Sequence, residues 1–495
     1  MFTFHRHLYL FMLLLATHSW ASVGDTLSLS LHSAITLAQE QSPSAKSARG
    51  AYLSAYWNYR YFKANYLPSV TLSSSPYLNK EINKITQSDG TAQFLKQDQF
   101  GADLTLSVSQ NIAWTGGSLF VKSTLTRLDE LRGKETFYSS SPLIVGYQQS
   151  LFGYNSLKWD RRIEPLRFRE AKKEYAEALE LVAVSACRHF FSLASAQTEL
   201  EMARQNFASA DTLYRMAQGR YAIGTITENE MLQLEINRLN EETNVMDARI
   251  ALEEQQQSFR SFLGLEPTVD LQLTLPDSVP QFEVPLHEAL RLATENSPDP
   301  EYYRRIRKEG ESVLAARKAS AGLKADIYLQ LGLSQTGKSV ASVYRDPMNQ
   351  TFASISLTLP VLDWGRGKGQ VKVARSQLDL INTQAEQGMK DFDQNVQKLV
   401  MQFNMQARKV HIAHLTAQRA EHRHSVARRL YVMGRNSILD LNSSINEKNS
   451  ARRNHIYAMQ TYWTLYYTLR SMTQYDFQRH APLTAFVGDQ TYRER

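Results

Sequence analysis

The segment Leu193–Tyr221, LASAQTELEMARQNFASADTLYRMAQGRY, carries the pattern that decides the fold. Alanine and bulky residues alternate along it at steps of three and four, at Leu193, Ala196, Leu200, Ala203, Phe207, Ala210, Tyr214, Ala217 and Tyr221. This 3.5-residue period is typical of a left-handed coiled coil, in which large side chains enter holes floored by alanine. The pattern predicts a helix over about Leu157–Arg220, roughly 100 Å long at 1.5 Å per residue.

The chain repeats itself once. The pattern of Leu31–Pro43 returns in Leu286–Pro298, and Tyr221-x-x-Gly224 returns as Tyr431-x-x-Gly434. The spacing between the copies shortens by about 45 residues from the first match to the second, so the first copy should carry that excess between residues 70 and 143. A period this long indicates a duplicated domain rather than a solenoid.

The duplication predicts an order of segments along the chain. Each copy should contain a helix, a group of strands and a helical hairpin. A linker should follow the first copy, and a tail should follow the second. The expected segments are a first copy over 22–264, with strands at about 67–152 and a hairpin at 156–264; an equatorial linker over 265–283; a second copy over 284–477, with strands at about 325–362 and a hairpin at 365–475; and a tail over 478–495. The other predicted helices are Thr227–Leu263, Val284–Ala321, Gly369–Leu430 and Ser437–Tyr475.

Runs with a period of two lie between the helices. Each has about ten residues with one apolar face and one face of small polar residues, at Pro68–Tyr77, 104–109, Ser118–Leu128, Leu143–Leu151, 327–334 and 353–359. This is the signature of transmembrane β-strands, although strands of a soluble sandwich have the same period. We count four to six strands, and the polar stretches Asn79–Phe100 and Arg132–Ser141 are expected to be exposed loops.

The N-terminus has the features of a secretory signal peptide over residues 1–21. Basic residues precede a nine-residue apolar core, Leu8–Ala16, which is too short to span a bilayer, and small residues at Ser19 and Ala21 suit a cleavage site. No other apolar run is long enough for a membrane helix. An exported chain of this kind is expected to be either soluble or a β-barrel.

Few residues suggest chemistry. The single cysteine, Cys187, excludes a disulfide framework, and scattered charges with a net charge of +7 do not indicate nucleic-acid binding. Four histidines, His411, His414, His422 and His424, lie close in sequence, and the first two share one helical face, but no carboxylate or thiol completes a metal-binding set with them. There is no catalytic triad order and no phosphate-binding loop, so we predict no enzyme activity, cofactor or metal.

Taken together, the signal peptide, the two copies of helix, strands and long hairpin, and the Tyr-x-x-Gly tips resemble the TolC family of outer-membrane efflux proteins. The resemblance implies a mostly helical α+β fold with a long coiled-coil helical barrel. It also implies a transmembrane β-barrel shared between the protomers of a homotrimer in the outer membrane of a Gram-negative cell. The protein would be the passive exit duct of a tripartite efflux or type I secretion system. Its partners would be a periplasmic adaptor and an inner-membrane pump of the RND or ABC type.

The strand count agrees with a shared barrel, because a closed membrane barrel needs at least about eight strands and open edges are costly in lipid. Three chains would supply 12 or 18 strands. Two alternatives stay open: a periplasmic or secreted coiled-coil scaffold without channel activity, and an outer-membrane porin or polypeptide secretion channel.

The resemblance also implies functional residues at the tips. Acidic residues beyond each tip glycine would ring the periplasmic aperture, at Glu230 and Asp440, and the tips would dock the adaptor through Tyr221, Gly224, Thr225, Tyr431, Gly434, Arg435 and Asn436. This sequence departs from the family pattern at Ser443, in place of a second acid, and at Asn436, in place of a basic residue. Alternatively, Glu230 and Asp440 are ordinary acids of a first helical turn, favoured by the helix dipole.

Overall fold

The structure is a computed structural model that describes residues 26–276 and 278–483. The expected signal peptide and residues 484–495 of the expected tail lie outside the described residues. The described chain forms two compact units. The first unit comprises residues 26–51, 173–297 and 393–483, and the second comprises residues 52–172 and 298–392.

The described elements alternate between helices and strands. The helices are α1 (Leu31–Gln41), α2 (Pro43–Ala64), α3 (Ser156–Ala222), α4 (Glu228–Leu263), α5 (Leu286–Asn296), α6 (Pro298–Ser320), α7 (Arg366–Val432) and α8 (Ile438–Thr473). The strands are β1 (Thr26–Ser30), β2 (Ser69–Ser74), β3 (Tyr77–Thr86), β4 (Ala92–Ile112), β5 (Gly117–Glu130), β6 (Glu135–Ser150), β7 (Asp270–Thr274), β8 (Lys324–Gly337), β9 (Met348–Thr358), β10 (Tyr475–Asp476) and β11 (Ala481–Pro482).

The two hairpins have matching lengths. Helices α3 and α7 have 67 residues each, and α4 and α8 have 36 residues each. Their ends lie within a few residues of the sequence predictions. Pro165 lies inside α3 without ending it.

The alternating stripe of α3 is a packing surface. Leu193, Leu200, Ala203 and Ala217 are all buried. Leu200 and Ala203 pack with Ala248 of α4. The predicted seam is confirmed for these residues, which bury an apolar face that would otherwise be exposed to water.

The predicted single helix Val284–Ala321 is wrong, because the segment is two helices, α5 and α6. Ser297 between them has extended backbone, with φ −66° and ψ 150°. The ring of Pro298 disfavours the helical conformation in the residue before it. The first copy has the same break at Ser42, with φ −60° and ψ 150°, before α2 begins at Pro43.

The second unit contains a seven-stranded antiparallel sheet in the order β2-β4-β5-β6-β8-β9, in which β3 also pairs with β4. β2 and β3 pair with successive parts of β4, at residues 104–109 and 92–101. The first copy therefore supplies five strands and the second copy supplies two. In the first unit, β7 of the expected linker pairs in parallel with β1.

The polar stretches Asn79–Phe100 and Arg132–Ser141, expected as exposed loops, are mostly strand. Residues 79–86 belong to β3, residues 92–100 to β4 and residues 135–141 to β6. Cross-strand hydrogen bonds between amide side chains, such as Asn83 to Gln97, support the β3–β4 pairing. The loop prediction is wrong because a polar composition does not exclude a strand. Here the polar side chains of neighbouring strands form hydrogen bonds with each other.

The two faces of the sheet differ as the period-two pattern predicts. One face carries exposed aliphatic side chains, at Val70, Leu72, Leu104, Leu106, Val108, Leu329, Leu331, Ile355 and Leu357. We call it the aliphatic face. The opposite face carries hydroxyl pairs such as Thr71 with Ser107. Three aromatic residues also lie on this polar face, with Phe120 and Phe352 each about 6 Å from the ring of Tyr328.

Candidate functional site

The first predicted tip is the turn between α3 and α4. Gly224 has φ +74°, a left-handed conformation that residues with a Cβ rarely adopt. Its N–H donates to the carbonyl of Tyr221 at 2.9 Å, and the N–H of Thr225 donates to the carbonyl of Arg220 at 2.9 Å. This pair of bonds is a Schellman motif, which satisfies the last carbonyls of α3.

The second predicted tip repeats this geometry between α7 and α8. Gly434 has φ +72° and donates to Tyr431 at 2.9 Å, while Arg435 donates to Leu430 at 2.9 Å. The repeated Tyr-x-x-Gly motif therefore corresponds to one helix-ending turn made twice. Asn436 lies in the same turn, before the N-cap residue Ser437.

Side chains from all four hairpin helices meet next to the turns. Leu213 and Ala217 of α3, Leu234 of α4 and Leu441 of α8 form a buried cluster, and Tyr431 of α7 packs against it. Arg220 also crosses from the first turn to the second, because its Nη2 donates to the carbonyl of Val432 at 3.0 Å. The structure thus brings the two sets of predicted docking residues together.

Glu230 and Asp440 occupy equivalent positions, three residues after an N-cap. Glu230 accepts a hydrogen bond from the N–H of Thr227 at 3.0 Å, and its own N–H donates to the Thr227 hydroxyl at 3.3 Å. Asp440 accepts from the Ser437 hydroxyl at 2.7 Å and donates its N–H to that oxygen at 3.1 Å. Both acids are exposed in the first turn of a helix, as the helix-dipole alternative expects. Glu230 completes a capping box, whereas the Asp440 carboxylate bonds only to the side chain of its N-cap residue. These hydrogen bonds come from uncharged groups, so they do not neutralise either carboxylate.

The position of the missing second acid is occupied by a local network. The Ser443 hydroxyl donates to Glu447 at 3.5 Å, and Glu447 pairs with Arg423 of α7. The carboxylate of Glu447 is therefore partly neutralised.

The sequence did not indicate that large apolar side chains would be exposed at the turns. Ile223, Met433 and Leu439 are 74%, 65% and 75% exposed. Exposed apolar residues that lie together often mark a surface that binds another protein. Ile223 and Met433 each come directly before a tip glycine, and this position in a turn was the feature of the sequence that could have indicated their exposure.

A cavity of about 750 Å³ lies near the tips, lined by residues of α3, α7 and α8. Its wall includes His424 and Lys448, both largely buried. Burial lowers the pKa of the His424 imidazole and of the Lys448 amine, since desolvation disfavours their charged forms. His424 contacts the Ser444 hydroxyl at 3.2 Å. Among the described residues, no cluster of three or more His, Cys, Asp or Glu side chains is placed to bind a metal ion.

The sequence profile described as "Outer membrane efflux protein" matches residues 34–265 and 311–473. The chain belongs to the outer membrane efflux protein family. The matched residues include both hairpins with their tips and all seven strands of the sheet. No curated protein matches the chain. In the described part of this family member, no helix is long and apolar enough to cross a membrane.

Solved structures share the fold of this efflux protein at low sequence identity. The CmeC outer membrane channel of Campylobacter jejuni aligns with a TM-score of 0.65 and 13% identity, over 90% of this chain and 85% of CmeC. The outer membrane protein VceC of Vibrio cholerae aligns with a TM-score of 0.64 and 14% identity, over 90% and 95%. The MtrE outer membrane channel of Neisseria gonorrhoeae aligns with a TM-score of 0.59 and 13% identity, over 90% and 88%. The predicted TolC-like fold is thereby confirmed.

Proposed function

We propose that this outer membrane efflux protein works as a homotrimeric exit duct in the outer membrane of a Gram-negative cell. It would conduct substrates passively and catalyse no reaction. Its partners would be a periplasmic adaptor and an inner-membrane pump of the RND or ABC type, in a tripartite efflux or type I secretion system. The observation that carries the proposal is a sheet with an exposed aliphatic face, on a chain whose family is defined by outer-membrane efflux.

The sheet edges support the trimer. Within the described residues, β2 and β3 form one edge of the sheet and β9 forms the other, and each pairs on one side only. Unpaired backbone groups cost several kcal/mol each in lipid, so a membrane-inserted sheet must close. Copies of the same chain offer matching edges.

Purification in detergent followed by native mass spectrometry and planar-bilayer recording tests this function. Three copies per particle and stepwise conductance are expected. A monomer that is extracted without detergent and does not conduct would favour the scaffold alternative.

We further propose that Glu230 and Asp440 line the periplasmic aperture. Three copies of each would place six carboxylates around one axis, which favours cations and provides a binding site for a multivalent cation. Both carboxylates are exposed, so they are accessible to an ion in the aperture.

Replacing Asp440 by Asn should weaken block of the current by a multivalent cation added on the periplasmic side. The cap persists, because the N–H of residue 440 still donates to Ser437 and the Asn oxygen can still accept from the Ser437 hydroxyl, while three charges are lost. We expect the half-blocking concentration to rise about tenfold, which corresponds to ~1.4 kcal/mol. Planar-bilayer recordings measure it. The matched control is Asp379→Asn, the same change at an exposed acid of the second unit, and equal block in wild type and Asp440→Asn would remove Asp440 from the aperture.

We also propose that the two tips dock the adaptor through Tyr221, Gly224, Thr225, Tyr431, Gly434, Arg435 and Asn436. The tips present exposed backbone, exposed apolar side chains and two non-identical copies of one turn per chain. A trimer would therefore offer six related contact points.

Replacing Gly224 and Gly434 together by Glu should abolish export while trimers persist. A Cβ at either glycine meets no atom within 4 Å, so the new side chains would point into open space where the adaptor would sit. Gly90→Glu is the matched control, since Gly90 also has positive φ and open space but lies in the β3–β4 turn. Drug-susceptibility assays and trimer quantification measure the effect. Normal export from the double variant would contradict docking at the tips.

A further inference from the structure

The β3–β4 hairpin extends beyond the rest of the sheet. β4 has 21 residues, whereas a membrane-spanning strand needs about 9–11. β5 pairs with β4 only as far as Gln99, and β3 pairs with β4 from Gly101 to Ala92. The residues between Lys80 and Lys96 therefore form a two-stranded ribbon past the last residue of β5.

The aliphatic face of the sheet continues onto this ribbon. Residues directly opposite each other in an antiparallel ladder share a face, and every second residue along a strand returns to it. From Leu104 the face continues on β4 to Phe100, Asp98, Lys96 and Phe94. The β3 residues opposite these four are Leu78, Lys80, Ile82 and Lys84.

The height of these residues follows from strand geometry. An apolar band about 25 Å tall, crossed by strands tilted by about 40°, takes roughly ten residues of a strand. On β4 the continuous aliphatic run of this face starts at Val108, because Gln110 separates it from Ile112 at the end of the strand. The band then ends near residue 99, with Phe100 at its edge. Lys80, Lys84 and Lys96 lie just above it, where lipid headgroups would be.

The charge of the ribbon differs between its two faces. The face continuous with the aliphatic band carries three exposed lysines and one acid, Asp98, whose carboxylate lies 3.7 Å from the Lys80 amine. Exposed Ile82 and Phe94 lie among the lysines. The opposite face carries hydrogen-bonded amides, in which Asn79 and Asn83 both donate to Glu81. The cationic side is therefore the one that faces outward.

We propose that Lys80, Lys84 and Lys96 form a binding site for the phosphate groups of outer-leaflet lipids. Lysine amines pair with phosphate as point charges, and the neighbouring apolar side chains suit the boundary between headgroup and acyl chain. Each such lysine contributes about 1 kcal/mol to binding at an anionic surface. The site rests on the proposed membrane location, because the hairpin meets lipid headgroups only if the aliphatic face lies in the bilayer.

Native mass spectrometry of the detergent-purified protein, titrated with bisphosphorylated lipid A, tests the site. We expect Lys80→Gln/Lys84→Gln/Lys96→Gln to bind lipid A about 100-fold more weakly than wild type. The matched control Lys390→Gln/Lys398→Gln/Lys409→Gln makes the same change at three exposed lysines of α7 and should bind as wild type does. Replacement of the three hairpin lysines by Arg should retain binding, which separates loss of charge from loss of the hairpin.

Three further results decide the proposal. Monophosphorylated lipid A should bind more weakly and phosphatidylcholine should not compete. Unchanged binding in the triple Gln variant of the hairpin, equal loss in the α7 control, or displacement by millimolar inorganic phosphate would overturn the lipid site. Planar-bilayer conductance separates this site from the channel. The triple Gln variant of the hairpin is expected to lose lipid A binding and to keep normal conductance. A wild-type protein that binds lipid A but does not conduct would contradict the proposed channel function and leave the lipid site standing.

Discussion

Replacing Arg470 by Met is expected to lower the free energy of unfolding by about 3–5 kcal/mol. Arg470 of α8 lies among the buried carboxylates of Glu180 and Asp476. Its Nη2 donates to Glu180 at 3.1 Å, and its Nη1 donates to Asp476 at 3.3 Å. Its Nε lies 2.9 Å from Glu180 Oε2, but the angle between them is not that of a hydrogen bond. Without the guanidinium, the buried Glu180 would lose this ion pair, and Asp476 would keep only the exposed Arg479, whose Nε lies 4.0 Å away.

The network also fixes the start of the C-terminal segment. Asp476 accepts hydrogen bonds from the Tyr466 hydroxyl at 2.7 Å and from the N–H groups of Gln478 and Arg479 at 3.0 and 3.1 Å. Loss of Arg470 should therefore loosen the β10–β11 turn as well as α8. Chemical unfolding of the detergent-solubilised protein, followed by circular dichroism, measures the change. Arg453→Met is the matched control, because its pair with Glu199 is exposed and should cost less than about 1 kcal/mol.

The pH dependence of the Arg470 variant has a definite sign. Burial raises the pKa of Glu180 above its usual value, and Arg470 opposes that shift. Removing Arg470 should raise the pKa further. A carboxyl with a raised pKa in the folded state contributes stability below its unfolded pKa and loses it as pH rises through the folded value. The variant should therefore recover stability relative to wild type as pH falls from 8 to 5, and a constant difference would exclude Glu180 as the cause.

The long helices could be predicted from sequence because each carries its own signals. The 3.5-residue stripe specifies the buried face of α3, and a glycine after each long helix specifies a turn with positive φ. The hairpin ends follow from the same residues, since Thr227 and Ser437 are typical N-caps. These signals act over a few residues, so tertiary context does not change them.

Other features depend on residues far apart in the chain. The Glu180–Arg470–Asp476 network joins α3 to the C-terminal segment, and no local pattern indicates it. The β3–β4 hairpin was missed because lysines interrupt the apolar residues on one face of its strands, so the alternation of apolar and polar residues is weak. The break at Ser297 had a signal in Pro298, but the strong apolar pattern of the flanking helices outweighed it.

The second large effect is expected in the sheet, where Leu104→Arg should destabilise the membrane-inserted protein by about 2–4 kcal/mol. Leu104 is 48% exposed on the aliphatic face, midway between Val108 and Phe100, so its side chain would lie near the bilayer midplane. An arginine there cannot reach water without thinning the bilayer. Reversible unfolding in lipid vesicles, with wild type as reference, measures the cost.

Two other positions provide controls for Leu104→Arg, one at a different depth in the bilayer and one on the opposite face of the sheet. Phe100 lies on the same face at the edge of the band, where an arginine side chain can reach the lipid headgroups. Phe100→Arg should therefore destabilise the protein by only about 0–1 kcal/mol. Asp103 lies next to Leu104 in the chain and on the opposite, polar face of the sheet. Asp103→Arg should change the free energy of unfolding only slightly, because that face would contact water. A soluble sheet predicts a different order, in which all three substitutions are mild because arginine is well solvated on either exposed face. Equal, small effects at the three positions would therefore place the aliphatic face outside the bilayer and remove the basis for the proposed lipid site.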